Sequence, residues 1–260
     1  MYSKKSLGQN FLIDQKVIKK IIDLSEIKGK NIIEIGSGKG ALTSEIIKRK
    51  PKSLIVIEKD SILAERLKER FCESKILKVF NQDVLKIKLE KIIKDKTIIF
   101  GNLPYNISSQ IFVKIIRLKI SLSKLETLIL MFQKEMGDKI TCKFPSKNYG
   151  RLSILSGLKL NVFKKFLISP NCFSPKPKIT SMVICFKIKK NKISRINKIE
   201  NLEKVTNILF SNRRKMINKS IKKLFNYDIT KKIPNLRLNL RPSEIRPEMF
   251  YKITELYEIE

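Results

Sequence analysis

The stretch that begins at Asn31 does most to narrow the folds open to this chain. An apolar strand-like run, Asn31–Ile35, passes through Gly36-Ser37-Gly38-Lys39-Gly40 into a helical stretch over 41–48. A strand, a glycine turn and a helix in that order make the first βα turn of a nucleotide-binding sheet, because glycines let a ligand approach the backbone closely. About twenty residues on, Glu58 ends the next strand-like run, 53–57, where a carboxylate can hold two ribose hydroxyls. The turn also fits G-x-G-x-x-A, so a dinucleotide dehydrogenase stays open, whereas a Walker A loop is excluded because no Gly-Lys-Ser/Thr follows the glycines. Glu34, just ahead of the glycines, and Asp83, shortly after a third strand-like run at 76–80, fit an S-adenosylmethionine pocket instead.

The chemistry comes into view further along, where the strand-like run 97–100 closes on Asn102-Leu103-Pro104-Tyr105. An exocyclic amine conjugated into a purine ring is a poor nucleophile, so a site that alkylates it has to hold it in line with an activated donor. A proline corner supplies fixed geometry. The Asn102 side-chain oxygen and the Leu103 carbonyl can each accept an amine hydrogen, and the Tyr105 ring offers a stacking face. Read plainly, the tetrapeptide is a strand followed by a turn. Phe173, between Pro170 and Pro175, reads as a loop aromatic that either plugs the core or stacks on a base. Asp60 reads as the cap of a helix over 61–71.

Taken in order, Gly8-Gln9-Asn10-Phe11-Leu12, Glu34-Ile35-Gly36-Ser37-Gly38, Asn102-Leu103-Pro104-Tyr105-Asn106, Tyr149-Gly150-Arg151-Leu152-Ser153, Phe173-Ser174-Pro175-Lys176-Pro177 and Asn212-Arg213-Arg214-Lys215 extend over nearly the whole chain. The set resembles the small-subunit ribosomal RNA adenine dimethyltransferases, the KsgA type. That resemblance implies a Rossmann-like α/β fold of the S-adenosylmethionine-dependent methyltransferases with a small C-terminal all-α domain. It further implies donor contacts from Asn10, Leu12, Gly36, Glu58, Asp83 and Asn102, and a target adenine sandwiched between Tyr105 and Phe173 in a catalytic set completed by Asn102, Leu103 and Pro104. The implied reaction is N6-dimethylation of two adjacent adenines in the 3′-terminal hairpin of 16S rRNA, within the small ribosomal subunit, as a contribution to ribosome biogenesis. Two alternatives remain: a large-subunit rRNA adenine methyltransferase of the macrolide-resistance type, and a non-catalytic RNA-binding assembly or transcription factor on the same fold.

A net charge of +32 on 260 residues calls for a polyanionic partner. Its distribution says more than its sum, since no Asp or Glu occurs from Lys139 to Lys198 or between Glu203 and Asp228. A Lys-, Ile- and Asn-rich composition accounts for part of the excess but not for that gap. Arg213, Arg214 and Lys215 are read as an RNA phosphate contact at the start of a helix, against the helix-dipole preference. The chain has no His, which removes the commonest general base and any Ser-His-Asp triad. Cys72, Cys142, Cys172 and Cys185 show no C-x-x-C spacing, so no metal is expected and the thiols are read as reduced.

No apolar run reaches membrane-spanning length, and Met1 to Ser6 is too short and too basic for a signal peptide, so a cytoplasmic location is expected. A monomer is expected as well. The organisation follows from periodicity. A helix near 17–24 precedes strands alternating with helices to about Gln133, which implies a parallel doubly wound sheet. Strand-like runs at 162–168 and 179–188 follow, the second with period-two patterning. The resemblance makes the last strand antiparallel. A basic linker at 187–198 leads to helices over 201–210, 213–225 and 243–256. The expected domains are 1–190, binding the donor and catalysing transfer, and 191–260, binding rRNA.

Overall fold

The computed structural model describes residues 9–119, 124–189 and 193–260, so Gly8, the segment Met1 to Ser6 and the middle of the expected linker lie outside the described residues. The first compact unit takes the described residues up to Gly137 together with Asn161–Ile188, and the second takes Asp138–Leu160 and Lys189–Glu260. That division departs from a single cut near 190, because residues 138–160 group with the C-terminal helices.

In the first unit, β1 (Phe11–Leu12) leads to α1 (Gln15–Ile22), which is capped by Asp14 accepting from Val17 N at 3.0 Å. Then come β2 (Asn31–Ile35), α2 (Ala41–Lys48), β3 (Ser53–Glu58), α3 (Ser61–Arg70), β4 (Leu77–Asn81), β5 (Thr97–Asn102), α4 (Ser108–Arg117) and β6 (Leu125–Gln133). Asp60 caps α3 as expected, its Oδ1 accepting from Ile62 N and Leu63 N. After α5 (Lys134–Thr141), within which the unit boundary falls, come α6 (Arg151–Lys159), β7 (Leu160–Ile168), β8 (Phe173–Ser174) and β9 (Ser181–Ile188).

Seven strands form one sheet in the order β4-β3-β2-β5-β6-β9-β7. The pairs from β4 to β6 are parallel, and β9 joins β6 antiparallel, opposing Met131 to Val183. The chain steps outward from β2 through β3 to β4 and returns to β5 on the other side of β2. The carboxyl ends of β2 and β5 thus flank the switch point, where open α/β sheets leave a crevice for ligands. Isoleucines and leucines such as Ile18, Ile32, Leu54 and Ile98 fill the core beneath that crevice at 0–1 % exposure, each worth roughly 1.5–3 kcal/mol of burial. In β9 the alternation does not divide inside from outside, for residues 181–186 are buried on both faces of a strand held between two neighbours.

The second unit packs α6 with α7 (Ile199–Phe210), α8 (Asn218–Ile221) and α9 (Pro247–Ile259). The Phe210 and Phe250 rings stack at 5.5 Å, and Tyr251 Oη donates to the Ile154 carbonyl at 2.9 Å. The helix expected over 213–225 is reduced to α8. Backbone bonds from Ile217 N to Leu240 O (2.9 Å) and from Asn218 N to Leu238 O (3.2 Å) draw the preceding segment into a loop instead.

Candidate active site

At the switch point the backbone of one strand end closes on another. A Cβ on Gly36 would stand 2.9 Å from the Asn102 carbonyl oxygen, and Gly36 has φ +72°. Only glycine fits a left-handed residue under a carbonyl at that distance. Gly38 is similarly confined by the Phe11 ring, 2.8 Å from where its Cβ would be. Around this contact opens a cavity lined by Asn10, Gly36, Glu58, Asp83, Asn102 and Tyr105, among others. Leu103 and Pro104 line it too.

Glu58, 7 % exposed, ends β3 and commits one lone pair of each oxygen to the backbone: Oε2 accepts from Gly38 N and Oε1 from Asp60 N, both at 3.0 Å. Burial raises its pKa, opposed by those two hydrogen bonds. A carboxylate has about four acceptor sites, so acceptor capacity remains for a diol. Asp83 stands beyond β4, its Oδ2 paired with Lys59 Nζ at 2.9 Å and its Oδ1 accepting from Leu85 N. The Lys59 ammonium holds its carboxyl below the usual range. Glu34 is wholly buried, accepts from Thr43 Oγ1 at 2.6 Å, and is pushed up to about 7 by burial.

Asn102 Nδ2 donates to the Asn10 carbonyl at 3.2 Å, which fixes the amide and leaves Oδ1 as its acceptor end. Tyr105 Oη lies 2.5 Å from Ser181 Oγ on β9, so the ring is anchored at its tip. Ser181, completely buried, carries no signal in the sequence because its partner lies 76 positions away. Lys59 is silent there too, because its partner Asp83 lies past the next strand.

Two expected contributors sit elsewhere. Leu12 and Phe173 oppose one another across the β1–β8 ladder, and both side chains join the core at 5 % and 3 % exposure. Neither lines the cavity, and the two-ring clamp is not assembled in this structure. The prolines around Phe173 suggested a loop aromatic that either plugs the core or stacks on a base; it sits instead in a short strand paired with β1, and its ring joins the core. In the second unit, Arg213, Arg214 and Lys215 fall in the turn just past α7 rather than at a helix start. Cations there agree with the dipole, so the expected conflict disappears. Arg213 Nη2 donates to the carbonyls of Lys147 (2.8 Å) and Tyr149 (2.6 Å), while Arg214 and Lys215 are exposed. The described residues contain no cluster of His, Cys, Asp and Glu suited to a metal ion, and no helix long and apolar enough to cross a membrane.

A sheet whose parallel strands are followed by the antiparallel β9, with a glycine turn, an acidic strand end and an Asn-Leu-Pro-Tyr corner around one crevice, is a Rossmann-like methyltransferase fold. Solved structures share it: a dimethyladenosine transferase from Plasmodium falciparum superposes with TM-score 0.80 at 22% identity, covering 96% of this chain and 98% of that one. The 23S rRNA methyltransferase ErmE does so at 0.69 and 21% identity, covering 96% and 100%. The model of the ribosomal RNA adenine dimethylase family matches residues 2–258, and the chain belongs to that family. It is 46% identical over 258 residues to the ribosomal RNA small subunit methyltransferase A of Pelagibacter ubique (strain HTCC1062), covering 98% of this chain and 97% of that one. To the protein of that name from Neorickettsia sennetsu (strain ATCC VR-367 / Miyayama) it is 40% identical, covering 85% and 83%.

Proposed function

We propose that the protein transfers methyl groups from S-adenosylmethionine to the N6 amines of two adjacent adenines near the 3′ end of 16S rRNA, in the small ribosomal subunit. The observation that carries this reading is the meeting of Gly36 and Asn102 at the switch point, with the Glu58 carboxylate in the same crevice. Methyl transfer needs donor and amine side by side, and the two strand ends supply one flank each. The donor, when bound, supplies a methyl group activated by a sulfonium. Glu58 accepts from its ribose hydroxyls, Gly36 and Gly38 allow its close approach, and Asp83 with Asn10 bounds the rest of its site. Asn102 Oδ1 and the Leu103 carbonyl orient the amine, Pro104 keeps the corner rigid, and Tyr105, anchored through Ser181, gives the base a face. The amine proton passes to water.

The small subunit is favoured over the large one by 46% identity to a small-subunit enzyme, against a likeness to ErmE that concerns the fold. The first unit holds donor and chemistry, and the second, with Arg214 and Lys215 exposed, contacts RNA phosphates. The protein acts as a cytoplasmic monomer on rRNA in the assembling subunit. Mapping N6-dimethyladenine in total rRNA from cells with and without the gene tests the reading. Loss of adjacent dimethylated adenines from the small-subunit rRNA is expected; loss from the large-subunit rRNA, or no change, overturns it.

A further inference from the structure

The second unit contains a cavity of ≈ 310 Å³ that methyl transfer leaves unused. Its size lies at the lower end of small-molecule sites, about 300–1,000 Å³. Phe144, Tyr149 and Tyr251 supply aromatic walls, and Lys189, Arg246 and Glu248 supply charge. Phe144 meets Tyr149 edge to face at 5.3 Å, and the Arg246 guanidinium lies over the Phe144 ring, 5.9 Å from its centroid. Lys189 Nζ donates to the Gly157 carbonyl, which leaves it further protons to offer.

Tyr149 is the anomaly. The residue is 1 % exposed, and its Oη has no hydrogen-bond partner among the described residues. Tyr251, by contrast, satisfies its hydroxyl on Ile154. Tyr149 lines this cavity together with Tyr251, Glu248 and Cys142. Buried polar groups are nearly always paired, so an unpartnered hydroxyl on a residue that lines a cavity points to a partner supplied from that cavity. Burial raises the phenol far above its ordinary titration range, so the hydroxyl remains a donor at physiological pH. Arg213 holds this wall from behind through the Lys147 and Tyr149 carbonyls.

We infer that this cavity is a second nucleotide subsite, taking an unpaired nucleotide with its base against the aromatic walls, a ring acceptor on Tyr149 Oη and its phosphate toward Lys189 and Arg246. Aromatic side chains, one hydroxyl donor and cations match the stacking and edge contacts by which unpaired RNA bases are read. The inference rests on RNA being the substrate, and a free mononucleotide presents the same chemistry.

The test uses the full chain with three probes: a short single-stranded RNA, adenosine 5′-monophosphate and inorganic phosphate. Binding is measured at raised salt, which screens backbone contacts. Tyr149→Phe removes only the unpaired oxygen, so its melting temperature should not fall. Its RNA affinity should drop about tenfold, the worth of one hydrogen bond, and Arg246→Gln should also weaken RNA. S-adenosylmethionine affinity should stay unchanged in both variants. Loss confined to RNA identifies the substrate strand as the source; parallel loss of the mononucleotide shows that a free nucleotide is accepted too. Equal RNA and mononucleotide affinities in wild type and both variants would overturn the inference, as would phosphate binding as well as the mononucleotide. Methylation of rRNA by the wild-type protein, measured alongside, separates failure of the subsite from failure of RNA as the substrate.

Discussion

Glu58 and Phe173 show how little a residue's identity says about its role until its neighbours are known. Glu58 serves the glycine turn and the cap of α3 through the backbone, and its remaining lone pairs face the crevice. Replacing it with Ala should weaken S-adenosylmethionine binding by about 1.5–3 kcal/mol, the range for hydrogen bonds to a charged group. Calorimetry that found unchanged affinity in a folded variant would move the diol elsewhere. Phe173 belongs to the core. Phe173→Ala should therefore cost about 3–5 kcal/mol of stability, as truncation of a buried aromatic does, and denaturant unfolding measures it. A variant of wild-type stability that no longer methylated would restore Phe173 to the target base.

Among the elements, α7 and the turn after it carry the clearest division of labour. Arg213 is committed to two carbonyls of the 147–149 segment, whereas Arg214 and Lys215 are exposed on the same turn. Arg213→Ala should lower stability by about 1–2 kcal/mol, a charged hydrogen-bond pair discounted for solvent exposure. The double variant Arg214→Ala, Lys215→Ala should leave stability within about 0.5 kcal/mol. Its RNA affinity should fall, and the salt slope should shrink by roughly one for each phosphate no longer neutralised. Thermal melts and salt titrations of both proteins read the two effects separately; an unchanged slope in the double variant would leave the cluster facing solvent only.

At the scale of the whole molecule, stability depends on pH through Glu34. Its carboxyl is raised from 4.5 to about 7 in the fold, so the folded state binds more protons than the unfolded chain between those values. The associated stability is fully present below about 4.5, and it is lost as pH rises through about 7. The loss is on the order of 3 kcal/mol. Glu58, raised in the same direction, adds to it. Glu34→Gln keeps an acceptor for Thr43 and should flatten this dependence, raising stability above neutrality relative to wild type. Denaturant midpoints across the window measure it; parallel pH profiles for the two proteins would show that Glu34 is ionised throughout.

What short stretches of chain dictate was legible in the amino-acid order. The turn at Gly36 to Gly40, the acidic end at Glu58, the cap at Asp60 and the corner at Asn102 to Tyr105 all lie within elements whose period or turn chemistry is local. The antiparallel direction of β9 was legible only through the family resemblance. Whatever depends on residues far apart was settled by folding. Folding brought Gly36 beneath the Asn102 carbonyl, tied Tyr105 to Ser181, turned Phe173 inward against Leu12, and grouped residues 138–160 with the C-terminal helices. It also left the Tyr149 hydroxyl, on a residue that lines a cavity, without a partner among the described residues. Local pattern specifies which element forms, but which side chain meets which is set by strand order and packing, and those are properties of the folded chain.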